Sequence, residues 1–167
     1  MTGILFIFLA GAALHFVFAL SGELRPVALI AGVNESVWEH LKIGFWPAFI
    51  WAVIELFAFG TRAKSFMFAK GIAFTMSALL ITGIFYLTKA AGIESLPVDI
   101  VNFFVSIVIA QTISYRLILV KRGNMALNAI GVLLIVVNIV VFSTLSYYPP
   151  HNLIFLDPVS GGYGIIK

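Results

Sequence analysis

Met125 to Tyr147, MALNAIGVLLIVVNIVVFSTLSY, contains no Asp, Glu, Lys or Arg. A helix needs about 20 mostly apolar residues to cross the hydrocarbon core of a bilayer. This stretch meets that requirement, and so do four others: Gly3 to Leu20, Ile43 to Gly60, Phe66 to Leu87 and Asp99 to Leu119. They predict an all-α integral membrane helical bundle of about five transmembrane helices. Composition agrees, because only 10% of residues are charged and the mean hydropathy is +1.11. An ordinary soluble domain carries about 25% charged residues, so that class is excluded. The 167 residues are read as one transmembrane domain, 1–167, with a tail over 148–167.

Pro26 to Val33 is apolar but too short to cross. It is read as a re-entrant or interfacial piece, tolerated where protein covers its backbone. The first span lacks a basic segment ahead of it and is expected to be retained rather than cleaved as a signal peptide. The chain has no cysteine, which excludes disulfides, thiolate metal sites and Cys nucleophiles.

The net charge of +3 does not point to nucleic acid, because the bases are scattered beside the spans. They sort by side instead. Arg62, Lys64 and Lys70 lie around the second connection, and Arg116, Lys121 and Arg122 around the fourth, with no acid in those connections. Arg25, Lys42, Lys89 and Lys167 share the other side with Glu23, Glu35, Glu39, Glu94, Asp99 and Asp157. The positive-inside rule makes the first side cytoplasmic. The N-terminus is then expected inside and the C-terminal tail outside.

The densest run of ionisable side chains is Asn34-Glu35-Ser36-Val37-Trp38-Glu39-His40-Leu41-Lys42. Charge beside hydrocarbon is costly and is kept for function or topology. Two readings stand. Ser36 and Glu39 match the S-x-x-E capping box, Asn34 is an equally good N-cap, and Trp38 and Trp46 suit an interfacial aromatic belt. Alternatively, Glu35 and Glu39, spaced i, i+4 on one helix face, hold a proton or cation between them. With His40 they are ligands for a divalent ion such as Zn²⁺ or Mn²⁺. No H-E-x-x-H or H-x-x-x-H motif occurs, so further ligands would come from distant segments: His15, His151 and Asp157. All three histidines fall on the outer side. The candidate ligand-binding set is therefore His15, Asn34, Glu35, Glu39, His40, Gln111, His151 and Asp157. The metal subset is Glu35, Glu39, His40 and His151.

Glu55 in the second span is either protonated or reaches toward Arg62. Asp99, Asn102, Ser106, Ala110 and Ser114 form one stripe on the fourth span, with Gln111 beside it. Such stripes serve helix packing or line a cavity. Pro149 and Pro150 end the fifth helix, and the apolar and aromatic residues that follow predict an ordered tail folded over the outer helix ends.

Two blocks carry a resemblance. Val33 to Lys42 followed by Phe45-Trp46-Pro47, and Pro149-Pro150-His151 followed by Asp157-Pro158 and Gly161-Gly162-Tyr163-Gly164, resemble an uncharacterised family of small prokaryotic multi-pass membrane proteins. His15 and Ala110 to Tyr115 fall between the blocks where the family has them. The resemblance implies architecture, candidate positions and a setting in the plasma membrane of a prokaryotic cell, with no activity attached.

Three functions are open to this sequence. The first is a ligand- or ion-binding, transport-related membrane protein with an outward-facing His-carboxylate pocket. The second is a membrane-embedded metal-dependent hydrolase in which Glu39 acts as base on metal-bound water. The third is a structural or assembly protein. The expected partners are the lipid bilayer and a small molecule or ion. Five spans without an internal repeat would require a transporter to be a homo-oligomer.

Overall fold

The computed structural model describes residues 1–59, 64–119 and 123–165. Gly60, Arg62, Lys121, Arg122 and Lys167 lie outside the described residues. Among the described residues there are five α-helices: α1 (Thr2–Leu20), α2 (Val37–Phe59), α3 (Phe66–Ala90), α4 (Leu96–Ile118) and α5 (Met125–Thr144). Each is long and apolar enough to cross a membrane. Among the described residues there is no strand, only one isolated bridge between Leu156 and Tyr163 in the tail. A 3₁₀ turn, Arg25–Leu29, lies between α1 and α2.

The second helix begins at Val37, directly after Ser36, where the capping reading puts a helix start; only the membrane span read from hydropathy starts six residues later, at Ile43. Hydropathy alone counts Glu39 and Lys42 as two charges and stops the span short of them. In the structure they neutralise each other one turn apart, at 2.5 Å, and both are buried. Glu35 precedes the helix, so the expected i, i+4 pairing of Glu35 with Glu39 on one helix face does not form. The capping box also differs. The Asn34 side chain takes the Ser36 N–H at 2.9 Å, while the Glu39 carboxylate reaches further back to the Val33 N–H at 3.1 Å.

That reach explains how the 3₁₀ segment survives among apolar helices. Non-helical backbone at this depth needs partners from the protein. Lys42 donates to the Ala28 carbonyl at 2.8 Å, and Glu39 accepts from Val33. Ala28 and Ala31 are themselves fully buried.

Close helix approaches complete the frame. Pro47 inside α2 has no N–H, which frees the Ile43 carbonyl four residues earlier. Gly11 of α1 meets that carbonyl so closely that a Cβ there would sit 2.9 Å from it. On the other side, a Cβ on Gly71 of α3 would lie 2.5 Å from the Gly131 carbonyl of α5, the small-residue contact typical of membrane bundles. Between α3 and α4, Asn102 donates to the Ile81 carbonyl at 3.0 Å and accepts from Ser106 at 3.1 Å.

The core is aromatic. Phe45 packs on Phe142 at 5.0 Å and edge-on to Phe74 at 5.3 Å. Trp38, expected at the interface, is buried and stacked between Phe142 and Phe155. Outward faces are apolar as well: Leu133 on α5 is 61% exposed and Leu79 on α3 is 63% exposed.

Glu55 also departs from expectation. It pairs with Lys70 of α3, which is buried and lies over the Phe66 ring. Lys70 is thus a neutralised helix residue rather than a free basic residue of the second connection.

Candidate metal centre at one end of the bundle

One end of the bundle gathers the close of α1, the start of α2, the α3–α4 turn and the tail. The tail folds back here as the sequence predicts. Trp38 N–H donates to the Ile154 carbonyl at 2.9 Å, Asn34 Nδ2 to the Gly164 carbonyl at 2.8 Å, and Tyr147 Oη to the Arg25 carbonyl at 2.5 Å.

Asp157 organises this fold-back. Its carboxylate accepts from the Glu35 N–H at 3.3 Å, the Val159 N–H at 3.2 Å, and the Ser160 N–H and hydroxyl. Burial pushes this carboxyl up, but the Ser160 hydroxyl and the N–H groups of Val159, Ser160 and Glu35 outweigh burial and hold it below the ordinary aspartate value. Its effect is to fix the backbone of Glu35.

The Glu35 side chain then meets two histidines. His15 Nε2, from α1, lies 3.2 Å from Glu35 Oε1, and His40 Nε2, from α2, lies 3.9 Å from Glu35 Oε2. The two imidazoles are 5.3 Å apart. One ligand atom from each of the three residues falls within 4.8 Å of the others. In a tetrahedral zinc site with bonds of about 2.0–2.1 Å, ligand atoms stand about 3.3 Å apart, so this cluster is near ligating geometry. His40 Nδ1 lies 2.9 Å from the Ser36 carbonyl. A proton on Nδ1 donates to that carbonyl and leaves the Nε2 lone pair facing Glu35, the outer hydrogen bond that metal-binding histidines use to set their tautomer.

The cluster opens on a cavity of 380 Å³ walled by Glu35, His40, Asp99, Asn102 and apolar residues of α3 and α4. Three protein ligands leave a fourth position, the arrangement of zinc sites that do chemistry or bind exchangeable ligands.

The remaining sequence candidates lie elsewhere. Glu39 is committed to Lys42, to the Ser146 hydroxyl at 2.6 Å and to Val33. Ser146 also accepts from Lys42 at 2.7 Å. That resembles a Ser-Lys nucleophile pair, but Lys42 and Ser146 are sealed at 0% and 1% exposure, so it serves as structure. His151 is exposed and stacks on Tyr163 at 4.5 Å. Asn34 pins the tail. Gln111 lines a void of only about 10 Å³ between helices beside Ile7 and Ile107. The α4 stripe is mostly packing: Asn102, Ser106, Ala110 and Ser114 are buried, and only its first two members, Asp99 and Asn102, reach the cavity. Asp99 was named in the stripe open to cavity lining but not in the candidate binding set, and it stands on the cavity wall.

Neither a curated protein nor a solved structure matches the chain. A model of the family described as a family of unknown function (DUF6512) matches residues 1–165, and the chain belongs to that family.

Proposed function

We propose that the protein is an integral membrane protein that binds one divalent transition metal ion through His15, Glu35 and His40, at the end of the bundle facing the cell exterior. The observation that carries this reading is the convergence of two imidazole Nε2 atoms on one carboxylate, with His40 held by Ser36. Two imidazoles and a carboxylate suit Zn²⁺, Mn²⁺ and Fe²⁺. Burial of the α4 stripe supports binding at this end over passage through the bundle.

The test is metal analysis of full-length protein, purified in detergent, stripped with chelator and titrated with Co²⁺. One ion per chain is expected, with the visible absorption of a His-carboxylate site, and both are lost in His15→Ala/His40→Ala. Absence of binding, or equal binding by the double variant, would overturn the reading.

Orientation is testable because the chain has no native cysteine. Val159→Cys, at a position 79% exposed, should react with a membrane-impermeant maleimide on intact cells. Lys64→Cys should react only after permeabilisation. The reverse pattern would place the metal end in the cytoplasm.

A second reading, a metal-dependent hydrolase, is favoured by Asp99 on the cavity wall, where a carboxylate could take the proton of a metal-bound water. Glu39, committed to Lys42 and Ser146, does not suit that role. Hydrolysis of a p-nitrophenyl ester that requires metal, and is abolished in Asp99→Asn with Co²⁺ binding retained, would establish it.

A further inference from the structure

We infer that the 380 Å³ cavity beside the histidine cluster takes a single-chain amphiphile with an uncharged polar head, drawn from the surrounding bilayer. The head would lie against His40, Asp99 and the metal, and the chain against α3 and α4. The assignment of the head rests on the metal reading; that of the chain rests on the cavity alone.

The cavity is two-sided. Its inner wall carries Glu35, His40, Asp99 and Asn102, while Ile81, Phe85, Ile93, Leu96 and Phe103 supply an apolar wall. Its volume falls within the range of about 300–1,000 Å³ usual for small-molecule sites, which pair an apolar lining with a few placed polar groups. The apolar wall continues onto the molecular surface, where Leu96 is 71% and Ile93 48% exposed. Both residues stand at the α3–α4 turn, between two helices apolar enough to cross a membrane. With exposed apolar residues on one side of this entrance and the exposed Lys89–Glu94 pair on the other, an amphiphile aligned with the bilayer surface can slide in chain-first while its head stays at the polar rim.

Charge selects the head. Glu35 and Asp99 put two carboxyl groups on the cavity wall beside the divalent ion, so the site holds no surplus cation of its own. At the rim, Lys89 and Glu94 lie 3.7 Å apart and neutralise each other. No net positive charge is left to hold a phosphate or carboxylate, and burying one uncompensated would be costly. A hydroxyl, ester or amide oxygen, by contrast, can fill the open metal position and bond to Asp99 or Asn102 without adding charge. A monoacylglycerol has this chemistry.

The test uses full-length protein in phosphatidylcholine nanodiscs with a monoacylglycerol bearing a diazirine in its acyl chain. After irradiation, adducts are mapped by peptide mass spectrometry. Labelling should concentrate on residues 81–103 and be displaced by monooleoylglycerol at concentrations at least tenfold below those of oleate or lysophosphatidate. Thr88→Trp and, independently, Leu96→Trp fill the cavity without touching the histidines. Each should cut labelling about tenfold while Co²⁺ binding stays at one per chain. Labelling spread evenly over the lipid-facing helices, indifference to both tryptophans, or better displacement by the anionic competitors would each overturn the inference. Concentrated, tryptophan-sensitive labelling of a protein that binds no Co²⁺ would support the lipid site while removing the metal reading, so the two failures are separable.

Discussion

Glu35 and Glu39 stand four residues apart, and each faces groups that can carry positive charge, yet their surroundings are opposite. Glu39 is sealed at 2% exposure, with its oxygens engaged by Lys42, Ser146 and Val33. The Glu35 side chain is 49% exposed and shares its oxygens with two histidines at 3.2 and 3.9 Å. A buried carboxylate must be fully satisfied or the fold suffers. A half-exposed one is under no such demand, and water can serve it. The Glu39 cluster is therefore explained by the backbone it holds, the 3₁₀ segment at Ala28 and the following connection at Val33. The Glu35 cluster holds no backbone together through its side chain, and two imidazoles converging on it point to a ligand.

The comparison is most exposed to failure at Lys42. Replacing it with Met leaves the Glu39 carboxylate buried without its cation and the Ala28 carbonyl without its donor. Breaking one side of such a pair costs about 3–5 kcal/mol, read as loss of resistance to denaturant in detergent. The double change Glu39→Gln/Lys42→Met removes the stranded charge and should recover part of the loss. If Lys42→Met alone were neutral, the Glu39 cluster would not be structural and the contrast would collapse. The opposite signature is expected at the open cluster. His15→Ala, Glu35→Gln and His40→Ala should each weaken Co²⁺ binding by about a hundredfold or more, since three-ligand sites tolerate no loss. Stability of the metal-free protein should move by no more than about 0.5 kcal/mol, as for other surface changes.

Much of this end of the molecule was legible before its geometry. The apolar runs predicted five helices. The side-sorting of charges brought His15, Glu35 and His40 to one face, together with the tail. What was illegible had physical causes. Hydropathy is summed over single residues and cannot see that Glu39 and Lys42 cancel, so the second membrane span was expected to begin only at Ile43, although the capping signal at Ser36 marked the helix start. A shared face does not fix distance: His151 is on the right side, but its ring is spent on Tyr163. For Glu55 only a proton or Arg62 was in view, because its partner, Lys70, had been counted with the second connection rather than with a helix. The stripe holding Asp99 was open to packing or cavity lining alike, because only the angle at which α4 meets α3 decides which of its polar residues look into the cavity.

Asp157 links the two behaviours, being structural itself while holding the Glu35 backbone. Asp157→Asn keeps the shape but replaces an acceptor oxygen with a donor among four donors. A cost of about 1–3 kcal/mol is expected for the unsatisfied groups, with metal affinity down about tenfold, the low end for an outer-shell change. pH should act in the same direction. The carboxyl is held below its ordinary value in the folded protein, so its contribution is complete above the unfolded aspartate pKa of about 3.9 and fades as pH falls through the lower native value. Trp38 fluorescence, which reports its stacking on Phe155 of the tail, should therefore shift in the parent as pH falls through that value, whereas Asp157→Asn, with no carboxyl to titrate, should show the shifted signal already at neutral pH and little further change. Identical acid transitions would detach Asp157 from the comparison.

The smallest effect is expected where an ion pair is neither sealed nor convergent. Lys89 and Glu94 lie 3.7 Å apart with side chains 53% and 70% exposed. Exposed pairs of this kind contribute about 0–1 kcal/mol, because water screens them and two long side chains lose freedom in pairing. Lys89→Ala should leave both stability and Co²⁺ binding within error of the parent. It should nevertheless leave Glu94 unneutralised at the cavity rim, which disfavours anionic competitors further. If Lys89→Ala instead cost as much as Lys42→Met, burial would not be what separates the two carboxylates of the Asn34 to Lys42 run. Proximity to any cation would then suffice, and the histidine cluster would lose its claim to be different in kind.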